Sequence, residues 1–268
     1  MSVDAREHLE LQSELHHAAA LGQLRLHYQP KLDCAHGELS GVEALIRWQH
    51  PKHGLLYPGA FLPLAERSGL IKTLGDWVIQ EACRQMRAWA DAGLGIPTAI
   101  NLSPVQLRDA ELPDRIAQAL SQHQIPASHL LCEITESVAM DDVQTTQGIF
   151  ERLHEIGVYL SIDDFGIGHS SLSYLRQLPA RQLKIDRSFV VDIESNTDAR
   201  AVVDAVVKLA HALDLRVIAE GVETTAQKNI LCSLGCDELQ GFLFAKPMPA
   251  EMLTPWIKTH ERRATATA

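Results

Sequence analysis

Residues 160–171 read LSIDDFGIGHSS, an apolar run that ends on two adjacent carboxylates, Asp163 and Asp164, before a glycine-punctuated turn. Two like charges side by side raise at least one pKa unless a cation or a hydrogen-bond donor compensates. Capping would supply donors, because an Asp before a turn accepts from the free N–H groups of the next helix. Divalent cations would supply charge. An Asp pair can bridge two metal ions roughly 3.5–4 Å apart, the arrangement used to transfer phosphoryl groups to water. The pair by itself leaves both readings open.

Side chains of the same kind recur along the chain. Glu43 lies in VEALIRW, Asn101 closes TAIN, Glu133 lies in LLCEIT, Lys184 and Asp186 in RQLKID, Glu220 ends RVIAE and Gln240 lies in DELQGF. Each has an ordinary reading: Glu43 as a surface acid, Asn101 as a turn former, Lys184 as an exposed ion pair with Asp186 that is worth little. Their recurrence at successive segment ends favours one shared site. Five carboxylates (Glu43, Glu133, Asp163, Asp164, Glu220) facing a single lysine cannot all stay ionised in a cleft without compensation. Mg²⁺ or Mn²⁺ suits such a set, since hard cations prefer carboxylate, amide and water oxygens, and Asn101 offers an amide oxygen. A carboxylate-pair glycosidase would need only two acids and would not explain Asn101 and Lys184.

These residues must be held by a framework, and the hydrophobic rhythm indicates which. Residues 1–21 form an amphipathic helix with Leu11, Leu15 and Ala18 on one stripe and Gly22 as its stop. Short apolar strands then alternate with helical segments. LRLHYQP and LSGVEALIRW come first, followed by TAINLS, LLCEIT, VYLSIDD, RQLKID, RVIAE and DELQGF. Eight strands mostly separated by helices predict an α/β fold, a (β/α)₈ barrel over residues 22–258, with a frayed tail at 259–268. The first two strands lack a long crossover, so they should pair antiparallel. Active sites of such barrels lie at the carboxyl ends of the strands, where all the residues above would converge.

Composition narrows the alternatives. Of 268 residues, 46% are hydrophobic and 22% charged, as in a soluble globular protein, and the formal net charge of −10 offers no general basic surface for DNA. An anionic substrate would therefore need metal ions to attract it. No stretch approaches the ~20 apolar residues of a membrane span and no secretory signal is present, which points to the cytoplasm. Five cysteines (34, 83, 132, 232 and 236), mostly in apolar runs, argue against a disulfide framework and for a reducing compartment. Cys232 and Cys236, one helical turn apart, read as core-facing thiols of one helix rather than metal ligands. The thirteen histidines are scattered, and His50 and His53 read as loop residues flanking a proline turn.

With EALIRW, NLS, CEITES, DDFGIGHSSL, LKIDRSFV, AEGVET and LQGFLFAKPM in one order, the chain resembles the EAL domain family over about residues 20–255. That resemblance implies a modified TIM barrel with an antiparallel first strand. It implies hydrolysis of cyclic di-GMP to linear pGpG by a water activated between two Mg²⁺ or Mn²⁺ ions. Glu43, Asn101, Glu133 and Asp163 would ligate one ion, and Asp163 would bridge to a second served by Asp164 and Glu220. Lys184 would stand beside the attacking water, with Glu43, Glu220 and Gln240 in the same catalytic group. Arg47 would meet substrate phosphate, with Gln29 and Glu223 as further substrate contacts, and Glu136 would hold the DDFG loop in place. Ca²⁺ is expected to inhibit, because its larger, irregular coordination disturbs in-line geometry.

The alternative is a receptor that binds cyclic di-GMP without cleaving it. EAL-like receptors typically lose metal ligands, and no expected ligand is missing here. Ile167 and His169 depart from the family pattern, which more usually has Thr and an aromatic at those positions. The resemblance further implies a homodimer through helices near the DDFG loop, with VVDAVVKLAHAL either on that surface or facing the barrel. Family members usually follow sensory or GGDEF domains, so residues 1–21 read either as the end of an inter-domain linker in a longer parent protein or as the opening of a stand-alone domain.

Overall fold

Short, nearly continuous apolar runs buried on both faces in the parallel strands, and 3.6-residue apolar stripes in the helices, produce one closed sheet wrapped by helices. The computed structural model describes residues 3–140, 143–166 and 175–267. Its strands are β1 (Leu24–Asp33), β2 (Leu39–His50), β3 (Gly54–Leu56), β4 (Thr98–Asn101), β5 (Leu130–Thr135), β6 (Tyr159–Phe165), β7 (Ala180–Ile185), β8 (Arg216–Ala219), β9 (Glu238–Gln240) and β10 (Met248–Pro249). They hydrogen-bond in the order β10-β1-β9-β8-β7-β6-β5-β4-β2-β3, and the β1–β2 pairing closes eight of them into a barrel. The neighbours from β2 through β9 run parallel. β1 runs antiparallel to both its barrel neighbours, β2 and β9, as the short β1–β2 connection requires.

Helices cover the outside. Helix Ile71–Asp91 turns Leu74, Ile79, Ala82, Cys83, Met86 and Trp89 inward at helical spacing, and the Trp89 ring meets Tyr28 of β1 edge-to-face at 4.8 Å. Burying each large apolar side chain contributes about 1.5–3 kcal/mol. At Gly241 the backbone itself must pass close: a Cβ there would lie 2.1 Å from the Val222 carbonyl oxygen, so only glycine lets the chain leave β9 beside the turn after β8.

The opening helix, Val3–Ala18, docks by Leu15 and Ala18 and by a hydrogen bond of 2.7 Å between Glu14 Oε2 and His50 Nε2. His50 is thereby a buried end of β2, not a loop residue. The last helix, Ala250–Thr267, continues through the segment where a frayed tail is expected, carried by good helix formers such as Glu261, Arg262 and Arg263. Among the described residues, no helix is long and apolar enough to cross a membrane. Of the segment VVDAVVKLAHAL, Val203, Val207 and Ala210 face the core. Ile167 and His169 lie outside the described residues.

The cysteines correct the sequence reading. Cys34, just beyond β1, and Cys232, on helix Thr225–Ser233, form a disulfide with Cα atoms 5.5 Å apart. Cys236 lies beyond the end of that helix, buried and free, as are Cys83 and Cys132. Apolar context alone hid the pairing, because it depends on β1 running down the barrel to meet the helix after β8. The bond spans 198 residues, and a loop of that order removes enough freedom from the unfolded chain to stabilise by about 2–4 kcal/mol. The Cys34→Ser/Cys232→Ser protein is therefore expected to melt lower than oxidised wild type and level with reduced wild type in calorimetry. Equal melting of all three would contradict a stabilising link.

Candidate active site

Parallel register brings the expected residues together, although Glu43 and Glu133 lie inside β2 and β5 rather than at their ends. Glu43 of β2 lies beside Ala99 of β4, Asn101 beside Glu133 of β5, and Thr135 beside Asp163 of β6. Lys184 projects from β7, and Glu220 and Gln240 follow at the ends of β8 and β9. From the inverted strand, Gln29 stands opposite Glu43. Gln29, Glu43, Asp163, Lys184, Glu220 and Gln240 line a cavity of about 250 Å³, whereas Asn101, Glu133 and Asp164 are not on its wall.

Lys184 is the hub. Its side chain is 1% exposed, and Nζ lies 2.5 Å from Glu220, 2.7 Å from Glu133, 3.2 Å from Asp163 and 3.7 Å from Glu43. Burial alone would strip its proton, but Glu133 and Glu220 in particular hold its pKa well above the ordinary lysine value. The carboxylates divide by their partners. Burial pushes Glu133 up, yet Lys184 and Lys31 overcome it and hold the carboxyl down to about 2. Glu43, Asp163 and Asp164 are raised, in each case first by burial. Burial pushes Glu220 up to about 8.

Neutral amides complete the network. Asn101 Nδ2 donates to Glu43 Oε1 at 2.8 Å. Gln240 Nε2 donates to Glu43 Oε2 at 2.6 Å and to Gln29 Oε1 at 3.0 Å. Gln29 in turn donates to the Ala245 carbonyl.

Adjacent residues of a strand normally point to opposite faces, so two neighbouring aspartates need a local distortion to share a site. β6 supplies it. Asp164 has φ 55°, in the left-handed region that Asp tolerates better than most residues, and the pairing with β7 shifts between Ile162 and Phe165. The Asp164 N–H donates to Asp163 Oδ1 at 2.9 Å. The residues that the capping reading concerns, 167–174, lie outside the described residues. Glu136, fully buried, accepts from the Gly166 backbone N–H at 2.8 Å, at the start of the DDFG loop.

The expected substrate contacts are placed unevenly. Glu223 lines the cavity and pairs with Arg187 at 2.7 Å. Arg47 is buried and not on the cavity wall; its guanidinium lies 4.8 Å from the Tyr57 ring centre, and its Nε has no partner. Three residues went unread in the sequence. Arg187 and the half-exposed Phe242 line the cavity, and Lys31 is a second buried lysine in what looked like a one-lysine site. The signal for Lys31 was available, because it follows Gln29 at the two-residue spacing that shares a strand face.

Among the described residues, no three His, Cys, Asp or Glu side chains form a ready cation cage; the Lys184 ammonium stands where the carboxylates converge. The donor set nevertheless fits divalent ions. Five carboxylates against two lysines leave negative charge in surplus, three of the acids are raised by burial in addition to Glu220, and Gln240 Oε1 is buried without a partner. Oxygen donors of this kind suit Mg²⁺ and Mn²⁺.

Residues 12–247 match the family model described as EAL domain. The chain is 51% identical over 254 residues to the bifunctional diguanylate cyclase/cyclic di-GMP phosphodiesterase MucR of Pseudomonas aeruginosa, a match covering 94% of this chain and 37% of that protein. It is 43% identical over 259 residues to the cyclic di-GMP phosphodiesterase NbdA of the same organism, covering 96% of this chain and 33% of NbdA. The chain thus spans about a third of the length of these curated relatives. Among solved structures, the PaMucR phosphodiesterase in complex with c-di-GMP aligns with a TM-score of 0.88 at 51% identity, covering 91% of this chain and 99% of that one. The EAL enzyme Bd1971 with cAMP and cyclic di-GMP bound aligns with a TM-score of 0.89 at 32% identity, covering 96% and 70%.

The raised Glu220 carboxyl sets a pH dependence in the metal-free protein. Between the ordinary carboxylate range and about 8, the unfolded chain has lost a proton that the folded chain keeps. Stability must therefore fall as pH rises through that window. In a chelator, the melting temperature of wild type is expected to drop between pH 5.5 and 8 more steeply than that of Glu220→Gln. Parallel slopes would show that Glu220 does not hold the proton.

Proposed function

The chain belongs to the EAL domain family, and on that premise we propose that it hydrolyses cyclic di-GMP to linear pGpG, as a cytoplasmic, metal-dependent phosphodiesterase. The observation that carries the reading is the cluster of Glu43, Glu133, Asp163 and Glu220 around Lys184 at the cavity. Glu43, Asn101, Glu133, Asp163, Asp164 and Glu220 are the residues that would hold two Mg²⁺ or Mn²⁺ ions. When bound, such ions neutralise phosphodiester charge and acidify a water at neutral pH.

The chain's own groups do the rest. The reaction is displacement at phosphorus by water: a P–O bond to the water oxygen forms, the P–O3′ bond breaks, and the 3′ oxygen takes a proton. Lys184 Nζ orients the attacking oxygen and offsets its charge. Glu220 Oε1, hydrogen-bonding distance from Lys184, is placed to hold or pass the water's proton. Gln240 and Asn101 fix the Glu43 carboxylate from both sides, leaving it little freedom to turn. Arg47, whose Nε lacks a partner, supplies positive charge for a phosphate, with Gln29 and Glu223 as further contacts. Glu136 holds the start of the DDFG loop through Gly166.

In the homodimer of this reading, the exposed Val191 and Val202 are apolar side chains that contact between copies would cover. The parent protein would carry sensory or GGDEF domains, as the greater length of its relatives suggests.

Incubation of the purified chain with cyclic di-GMP and Mn²⁺ or Mg²⁺ is expected to yield pGpG by chromatography, and Glu43→Ala is expected to abolish turnover while melting as a folded protein. Tight dinucleotide binding with no pGpG would replace the enzyme reading with a receptor. Ca²⁺ in excess over Mg²⁺ is expected to inhibit; unchanged rates would count against in-line chemistry at a hard-cation site.

A further inference from the structure

Beneath the cavity lies an ion pair that the strand-end pattern does not contain. Lys31 sits on the inverted strand β1 opposite Gln240 of β9, is 3% exposed, and places Nζ 2.6 Å from Glu133 Oε1. Neither Lys31 nor Glu133 is part of the cavity wall, whereas Glu43, Asp163, Lys184 and Glu220 are. Glu133 itself is 1% exposed and holds one ammonium on each oxygen, Lys31 on Oε1 and Lys184 on Oε2 at 2.7 Å.

The two lysines are not equivalent. Lys184 is shared among four carboxylates and faces the cavity. A dication entering from the cavity would repel that ammonium from Oε2. Lys31 approaches from the other side and would remain on Oε1. We infer that Lys31 is the positioning residue of Glu133: it holds Oε1 from beneath the cavity, so that only Oε2 is presented to a cation. The inference rests on the metal-dependent phosphodiesterase reading.

Two effects of Lys31 on a metal oppose each other, and this makes the inference testable. As a charge, Lys31 repels a cation, so removing it would tighten metal binding. As an anchor, it satisfies a buried acceptor and fixes the ligand's orientation, so removing it would loosen metal binding. Loss of such outer partners typically costs about 10–100-fold in metal affinity or activity. The anchor is expected to win, because Oε1 has no route to solvent once Lys31 is gone and the carboxylate must turn towards Lys184 to find a partner.

The experiment is calorimetric titration of Mn²⁺ into the metal-free full chain. Lys31→Met, neutral and similar in length, is expected to bind Mn²⁺ about 10–100-fold more weakly. Its turnover should fall at limiting Mn²⁺ and recover at saturating Mn²⁺, with KM for cyclic di-GMP unchanged. Combined with Glu133→Gln, it should lose no more affinity than Glu133→Gln alone. Equal or tighter Mn²⁺ binding, or fully additive losses, would overturn the inference. Lys31→Gln is read in the same titration, so that a misfolded Lys31→Met does not end the test; it too should weaken Mn²⁺ binding, and wild-type affinity in it would overturn the inference. A wild-type chain that takes up no Mn²⁺ overturns the phosphodiesterase reading and this inference with it. Normal wild-type uptake with unchanged affinity in the variants overturns the inference alone.

Discussion

A single buried ammonium, Lys184 Nζ, has four carboxylates within 4 Å, and the arrangement of the whole cavity follows from that crowding. Burying so many like charges is tolerable only where each finds a partner or keeps a proton. Glu133, clamped by two lysines, stays ionised; Glu220, with only a share of Lys184, is pushed up to about 8. The site is therefore a reservoir of negative charge that is incompletely balanced by the chain. In the proposed function, divalent cations would complete that balance and offset the charge of an anionic diester.

The inverted first strand gives this cluster its second layer. A barrel of parallel strands alone would bring every side chain to the site from the same direction. β1 instead descends through it, with Gln29 at the level of Glu43 and Lys31 two residues further down, under Glu133. The amide chain from Gln29 through Gln240 to Glu43 and on to Asn101 orients one carboxylate without adding charge. Lys31 does add charge, and it does so where solvent does not reach. Neutral donors thus stand beside the cavity and a cation beneath it.

What the sequence could reveal was set by the range of the interactions involved. Glu43, Asn101, Glu133, Lys184, Glu220 and Gln240 were readable because each is a polar residue inside or just past a short apolar strand, and the barrel brings its strands together whatever lies between them. The antiparallel first pair was readable from a connection too short for a crossover. Lys31 was missed because its importance depends on what β1 faces across the barrel, where it meets Glu133 of β5. The Cys34–Cys232 bond was missed for a similar reason: its partners are 198 residues apart and meet only once β1 is inverted. Conversely, the left-handed Asp164 and the shifted register beside it, which the proposed sharing of one site by Asp163 and Asp164 would need, are not encoded by apolar alternation.

The central claim is that metal ions complete a charge balance the protein leaves open. Calorimetric titration of Mn²⁺ at pH 7 in buffers of different ionisation enthalpy tests it most directly, since it counts ions bound and protons released together. The account predicts two Mn²⁺ per chain with net proton release, because carboxyls raised by burial must ionise to become ligands. Absence of Mn²⁺ uptake, or uptake with no proton release, would contradict it.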